Sequence, residues 1–374
     1  MPMKLNRIYP LMVVLLNSAM PSLLTAERAL GIDAEWLGSD DISYASTLLT
    51  WEEMNPSLDW SVDLRLQQID VDYVPAGYPI DIVTEPRDRE EQEYSLRSEF
   101  GLKSGDSIEI RPSLFVSSGW TSHTSIWLDE YYRQLWQGST VPGDRYEEPD
   151  PYSIGGSILL KWDYFHSQSF LNTTIGYTRR TIAPGYDFAV EGERAGQLVR
   201  GIDQLDDWSI DIASDNVVTS WLRVQNGITL LDTKARDPRL TFRSSANIAF
   251  GEWWVLRLSA AYARESSEFD ASRYQTQLVR DISYNWSLFG GFGYYRDSGE
   301  IEQANLATDA APRLTTRNWT AGLAWTASDS SRSFRLSVGY FKHQNASDQL
   351  DLRFRNLYSE REWILLKAAY NFTF

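Results

Sequence analysis

The sequence predicts an all-β fold: a transmembrane antiparallel barrel of about 16 strands, with about 14 as the alternative. Segments of about ten residues in which apolar and polar side chains alternate recur from Gly31 to the C-terminus. This alternation is the period of a strand that has one apolar face. Short and long connections between the segments also alternate along the chain, as expected for the two rims of a membrane barrel. Beyond the N-terminal region, no apolar run approaches the roughly 20 residues of a membrane helix.

Residues 1–26 are predicted to be a secretory signal peptide. Lys4 and Arg7 precede a short apolar run at 8–16, and small residues follow at 22–26. A charged start, a short apolar core and a small-residue exit are the order of an export signal. Cleavage is predicted after Ala26, with Ala19 as the alternative. Residues 27–374 are then predicted to form one barrel domain.

The first two strands decide between the two strand counts. Segments 31–38 and 42–51 both alternate and are joined by Ser39, Asp40 and Asp41, so they form a predicted hairpin that favours 16 strands over 14. The clearest strand is 57–71, SLDWSVDLRLQQIDV, in which apolar side chains occupy every second position from Leu58. The same alternation predicts strands within 92–103, 240–250, 254–262 and 333–340.

Connection lengths orient the barrel. Short turns are predicted at 52–56, 104–105, 166–167, 214–216 and 327–332, and around 251 and 285. Longer connections are predicted at 74–91, 119–152, 181–204, 232–238, 265–271, 298–314 and 344–361. If the last strand ends in the periplasm, every long connection lies outside the cell. Aromatic residues beside the short turns predict an interfacial belt, formed by Trp51, Trp60, Phe165, Phe170, Phe250, Trp253, Tyr284, Trp286, Trp325 and Phe334.

The last strand, 362–374 (EWILLKAAYNFTF), ends on an aromatic residue. Tyr370, Phe372 and Phe374 share its apolar face, whereas Lys367 and Asn371 lie on the polar face. This ending resembles the C-terminal signature of Gram-negative outer-membrane β-barrel proteins. The resemblance implies that Tyr370, Phe372 and Phe374 form an assembly signal. It also implies location in the outer membrane, with lipids, lipopolysaccharide and the barrel assembly machinery as partners.

Composition excludes several classes of protein. The chain has no cysteine, which excludes disulfide frameworks and cysteine metal sites. Its formal net charge is −16 and its basic residues are scattered, which argues against a nucleic-acid partner. No phosphate-cradling glycine loop or zinc motif occurs, so neither a cofactor nor a metal is predicted. Aromatic residues make up 13% of the chain, a load typical of membrane interfaces.

The polar faces of the strands are predicted to form the lumen wall. Ionisable residues at membrane depth are costly unless they face water or each other, so they indicate a hydrated interior. The candidate pore-lining residues are Arg65, Arg97, Glu99, Arg111, Arg223, Arg243, Arg257 and Arg335. Ion pairs inside a blocked barrel are the alternative interpretation. Arg280 lies on the apolar face of its strand and predicts a bulge or a register shift there.

The segment 119–152 differs from the other connections. Within 125–137 the alternation is lost, and Trp127, Tyr131 and Leu135 follow a helical spacing of four. Such a helix could fold into the lumen as a constriction loop, where Asp129 and Glu130 would face the arginines of the wall. A helix on the outer rim and an extension of a strand are the alternatives.

These features predict a channel for passive diffusion of small polar solutes or ions through the outer membrane. A closed barrel that acts as a structural or surface-interaction protein is the second hypothesis. An outer-leaflet lipid enzyme that uses His123 or His343 is the third. No motif places a nucleophile beside either histidine, so the protein is not predicted to be an enzyme.

Overall fold

A computed structural model describes residues 27–40, 42–55, 58–73, 87–104, 107–119, 152–165, 168–181, 186–188, 198–200, 204–234, 237–265, 269–299, 313–345 and 360–374. The predicted signal peptide, His123 and the predicted constriction residues Asp129 and Glu130 lie outside these ranges. No helix in the described ranges is long and apolar enough to span a membrane.

Strands make up almost all of the described chain, because apolar and polar side chains alternate along it. They are β1 (Glu27–Gly38), β2 (Ile42–Met54), β3 (Leu58–Tyr73), β4 (Arg87–Ser104), β5 (Ile108–Gly119), β6 (Tyr152–Asp163), β7 (Ser169–Thr181), β8 (Tyr186–Phe188), β9 (Leu198–Arg200), β10 (Gln204–Thr219), β11 (Leu222–Thr233), β12 (Arg239–Phe250), β13 (Trp254–Glu265), β14 (Phe269–Asp281), β15 (Trp286–Asp297), β16 (Leu314–Thr326), β17 (Arg332–Asn345) and β18 (Arg361–Thr373). The short strands β8 and β9 form a separate two-stranded sheet in the connection between β7 and β10.

The other 16 strands close into one antiparallel barrel. The first strand completes the ring: on β1, Ile32 lies opposite Leu49 of β2 on one side and Tyr370 of β18 on the other. The prediction of 16 strands is therefore confirmed, and the N-terminal hairpin that separated it from 14 is part of the wall. Closure leaves no unpaired strand edge, which is the condition for spanning a bilayer with strands.

The two faces of the wall are reversed relative to a water-soluble protein. Large apolar side chains point outward and are exposed, for example Leu114 at 67% and Ile158 at 56%. The buried hydrophobic residues of the described chain are only Ala271 and Phe289, and both face inward. A continuous apolar exterior of this extent cannot face water, so it identifies the lipid-facing surface.

The two rims differ in connection length. The C-terminal rim, which carries Phe374, has only short turns, at 55–57, 105–107, 164–168, 220–221, 251–253, 282–285 and 327–331. The opposite rim, here called the distal rim, carries the long connections at 74–86, 120–151, 182–203, 298–313 and 346–360. Connections 39–41, 234–238 and 266–268 on the distal rim are short. The predictions of longer connections at 232–238 and 265–271 were wrong, because β11 and β12 extend to Thr233 and Arg239 and because β13 and β14 stay paired up to Glu265 and Phe269.

Aromatic rings gather at the C-terminal rim. Phe250 stacks on Trp254 with 6.2 Å between ring centroids, and Trp286 lies 6.5 Å from Trp325. The prediction that Phe170 belongs to the interfacial belt was wrong. Phe170 points into the lumen, where the Lys161 ammonium lies 4.7 Å from its ring centroid, because it lies opposite the inward residue Asp163.

The predicted turn at 214–216 was also wrong. These residues continue β10, which turns at 220–221 instead. Asp215 lies opposite Phe170 on one neighbouring strand and Gln225 on the other. Its polar flanks resembled a turn, yet the side chain of Asp215 serves as an acceptor on the inner wall.

Arg280 causes no bulge, so that prediction is corrected. It pairs in unbroken register with Trp254 of β13 and Leu288 of β15, and its side chain faces outward. It is the penultimate residue of β14, at the C-terminal rim, and its guanidinium carbon lies 5.0 Å from the Trp254 ring centroid. A cation at this height reaches the polar interface by snorkelling, so the strand has no need to shift.

Candidate functional site: the charged inner wall

All eight candidate pore-lining residues lie on the inward face. Each occupies the strand parity opposite to the exposed apolar residues, and closed-barrel geometry turns that parity toward the lumen. They are distributed as Arg65 on β3, Arg97 and Glu99 on β4, Arg111 on β5, Arg223 on β11, Arg243 on β12, Arg257 on β13 and Arg335 on β17. They therefore form several separate groups around the barrel.

The first group, the lower cluster, lies near the C-terminal rim on β3–β6. Arg111 is its centre: its guanidinium lies 2.6 Å from Glu109, 3.2 Å from Glu99 and 3.9 Å from Asp59. Lys103 binds Asp59 at 2.9 Å. Arg97 and Lys161 complete the cluster at 3.2 Å from Glu99 and 3.6 Å from Glu109. Each carboxylate here has at least two cationic neighbours, which offsets the cost of placing it at membrane depth.

A second group joins strands that are not adjacent. Arg243 of β12 crosses β11 and donates to Asp211 of β10, with Nη2 and Oδ1 2.6 Å apart. The crossing passes over Gly227, where a Cβ would lie 2.8 Å from the Arg243 Cζ. The missing side chain thus lets the guanidinium lie flat on the wall. Asp211 also accepts from the Thr229 hydroxyl.

The Arg243–Asp211 pair is expected to couple energetically. Arg243→Gln and Asp211→Asn should each lower the free energy of unfolding by about 1 kcal/mol, because each leaves its partner without a counter-charge. The double variant should lose less than the sum, with a coupling of about 1 kcal/mol. Urea unfolding of the barrel in lipid vesicles measures the free energy of unfolding of the unchanged protein, the two single variants and the double variant. Strictly additive losses would contradict the pairing.

Several inner-wall residues were not among the predicted site residues. Asp215 accepts from the Arg223 Nε at 2.7 Å and from the Gln225 Nε2 at 2.8 Å. Arg273 faces the lumen on β14, opposite Ala261 and Tyr295. The alternation of β14 could have identified Arg273, since the residue next to it, Tyr274, belongs to the apolar face. In the structure Tyr274 is 55% exposed on the lipid-facing side. No sequence signal could have paired Asp215 with Arg223, because the pairing depends on the position of the turn between β10 and β11 at 220–221.

The remaining predicted arginines have no acidic partner within 4 Å in the described chain. Arg257 donates to the Gln277 Oε1 at 3.3 Å. Arg335 places its guanidinium carbon 4.3 Å from the Phe289 ring centroid. Arg65 lies opposite Leu48 and Ser95. These side chains are all exposed to the lumen, so the wall has a surplus of accessible positive charge at these positions.

The described part of the chain offers no group of three or more histidine and acidic side chains that could hold a metal ion. His343 faces inward near the distal rim, with its Nδ1 3.1 Å from the Thr316 hydroxyl. The rings of Phe341 and Trp363 lie 6.5 Å and 5.8 Å from it. These contacts are those of a packed aromatic residue.

Comparison with known proteins supports the fold. No protein-family model and no curated protein matches the sequence. Among solved structures, CdiB from Acinetobacter baumannii has a TM-score of 0.53 at 10% identity, covering 95% of this chain and 61% of that chain. A TodX mutant described as a monoaromatic hydrocarbon channel has a TM-score of 0.46 at 10% identity, covering 96% of this chain and 91% of that one.

CymD, also described as a monoaromatic hydrocarbon channel, has a TM-score of 0.44 at 11% identity, covering 93% of this chain and 88% of that chain. At these identities the likeness extends to the fold only. The predicted resemblance to Gram-negative outer-membrane β-barrel proteins is confirmed at that level.

Proposed function

We propose that the barrel is a channel for passive diffusion of small polar solutes or ions across the outer membrane. The observation that carries this proposal is the exposure of charged side chains on the inward face. Arg97 on β4, Arg223 on β11 and Lys367 on β18 have side chains that are 52%, 48% and 50% exposed. In a barrel filled by its own side chains they would be buried, whereas a barrel of this width leaves an aqueous interior.

The proposed topology follows from the two rims. The C-terminal rim faces the periplasm and the distal rim faces the outside, because outer-membrane barrels have their short turns on the periplasmic side. The chain is exported by the signal peptide at 1–26, is inserted by the barrel assembly machinery and contacts lipopolysaccharide at the distal rim. We propose no catalytic role, since the sequence places no nucleophile motif beside His123 or His343.

Planar-bilayer recording tests the channel. Purified, folded protein is expected to produce discrete current steps in KCl, because ions can follow the exposed charges of the wall. Heat-denatured protein in the same detergent is the matched control and should give none. Folded protein that inserts without current steps would overturn the proposal and favour the closed structural barrel.

A further inference from the structure

A recess in the inner wall lies between β11 and β16. It has a volume of about 310 Å³ and is floored by Ser245 and Ser259, which lie opposite each other on β12 and β13. On β15 the row of Ser259 continues to Gly293, over which the Asn318 side chain lies. Short side chains over several adjacent strands produce the depression, and its volume is at the lower end of the range for ligand sites, about 300–1,000 Å³.

Neutral hydrogen-bonding groups surround this floor. Gln277 accepts from Arg257 with its Oε1, and Gln275 accepts from Ser259 with its Oε1 at 3.5 Å. The amide NH₂ groups of both glutamines have no acceptor among the described residues, so they can donate to a solute. Asn247 and Asn318 lie at the sides. Donors and hydroxyls in this density can satisfy a solute that carries several hydroxyl groups.

A second recess of about 360 Å³ continues the first toward the distal rim, sharing Ser245, Ser259 and Gln275 with it. It adds Arg273, whereas Arg257 lines the first recess. Arg273 is four residues from Gln277, the residue opposite Arg257, so about 14 Å of strand separate the two levels. The two arginines thus bracket the combined recess from its two ends.

Some charged side chains of the combined recess have a partner of opposite charge, and others have none. Its acidic residue Asp215 is bound by Arg223, and Arg243 is bound by Asp211. Neither Arg257 nor Arg273 has an acidic side chain within 4 Å among the residues that the structure describes, and both are exposed. An exposed guanidinium beside amide donors is a good partner for a carboxylate, which it can bind in a bidentate manner.

We propose that this recess is a binding site for small hydroxylated carboxylates of the size of a sugar acid. Arg257 or Arg273 binds the carboxylate, and the amides and serines bind the hydroxyl groups. The proposal rests on the proposed channel function, because the solute reaches the recess through the lumen. It goes further by naming the class of solute and the side chains that select it.

Two measurements test the site with galacturonate as the probe. Calorimetric titration of the folded barrel in detergent measures binding without any need for conductance. Block of the KCl current in planar bilayers measures access to the recess. Galacturonate is expected to bind and to block, whereas galactose, which lacks the carboxylate, and hexanoate, which lacks the hydroxyls, should bind at least about tenfold more weakly.

Variants locate the site. At least one of Arg257→Gln and Arg273→Gln is expected to weaken galacturonate binding by about tenfold or more, since it removes the charge-assisted hydrogen bond to the carboxylate. Arg317→Gln is the matched control, because Arg317 points outward from β16, opposite Tyr294 and Lys342. Its affinity for galacturonate should equal that of the unchanged protein.

The outcomes separate the two proposals. Current steps without galacturonate binding, or binding that neither arginine variant weakens, would overturn the site and leave the channel standing. Equal affinity for galacturonate and galactose would likewise overturn it. Binding without current steps would overturn the channel alone.

Discussion

Deletion of Phe374 is expected to abolish most of the folded barrel in the outer membrane. The residue closes the seam between the first and last strands: its backbone N–H donates to the Arg28 carbonyl at 2.8 Å, and its own carbonyl accepts from the Arg28 N–H at 3.1 Å. Its ring lies 5.8 Å from Trp51 and 5.4 Å from Phe372. The deletion removes these contacts and also the aromatic end of the predicted assembly signal.

Folded and unfolded barrels migrate differently on gels run without heating, so the heat-modifiable fraction of the outer-membrane protein measures this loss. Phe374→Tyr is the matched control: it keeps the ring and both backbone hydrogen bonds, and it should assemble normally. A normal folded fraction after deletion would refute the role of Phe374. If Phe374→Tyr failed to assemble to the same extent, an aromatic ring at this position would not be sufficient, and the ring would also have to be free of a polar group.

Gly322→Ala is expected to destabilise the barrel strongly, whereas Gly290→Ala should be nearly neutral. Gly322 faces the lumen on β16, opposite Phe289 and Ser337. A Cβ there would overlap both the Phe289 ring and the backbone carbonyl oxygen of Leu336. Since a backbone atom cannot move aside as a side chain can, we expect a loss of about 2 kcal/mol in the free energy of unfolding.

Gly290 provides the matched control because it lies on the adjacent strand β15 and faces the lipid. The nearest atom to a Cβ there is the Thr320 carbonyl oxygen at 3.9 Å, an ordinary contact. Urea unfolding in lipid vesicles compares the two variants directly. Equal stability of both would contradict the close packing of Phe289 over Gly322, and with it the position of Arg335 on the Phe289 ring.

Much of the architecture could be predicted because strand geometry is local. Alternation predicted the strands, the count of 16 and the inward face of each charged residue, including Arg65 and Arg335. The errors arose where local composition was ambiguous. Asp215 lies in a polar stretch that resembles a turn, and Arg280 contradicts the alternation because a rim position tolerates a cation that mid-membrane does not.

The sequence predicted which charged residues lie on the inner wall, but it could not predict which of them contact each other. Arg243 and Asp211 are separated by an intervening strand, and their contact depends on Gly227 leaving the wall clear. Arg257 and Arg223 have the same residue type and face the same lumen, yet only Arg223 has a carboxylate partner. Which arginine is accessible to a solute therefore depends on the register between strands.

The sequence by itself determined which side chains face lipid and which face the lumen, because successive residues of any strand point to opposite faces. It also determined the even strand count and the difference between the rims. Only the tertiary structure decided which inward residues meet, where a recess forms in the inner wall, and which arginines have no acidic partner. These properties depend on pairs of residues on different strands, and the pairs form only when the strands meet in one register.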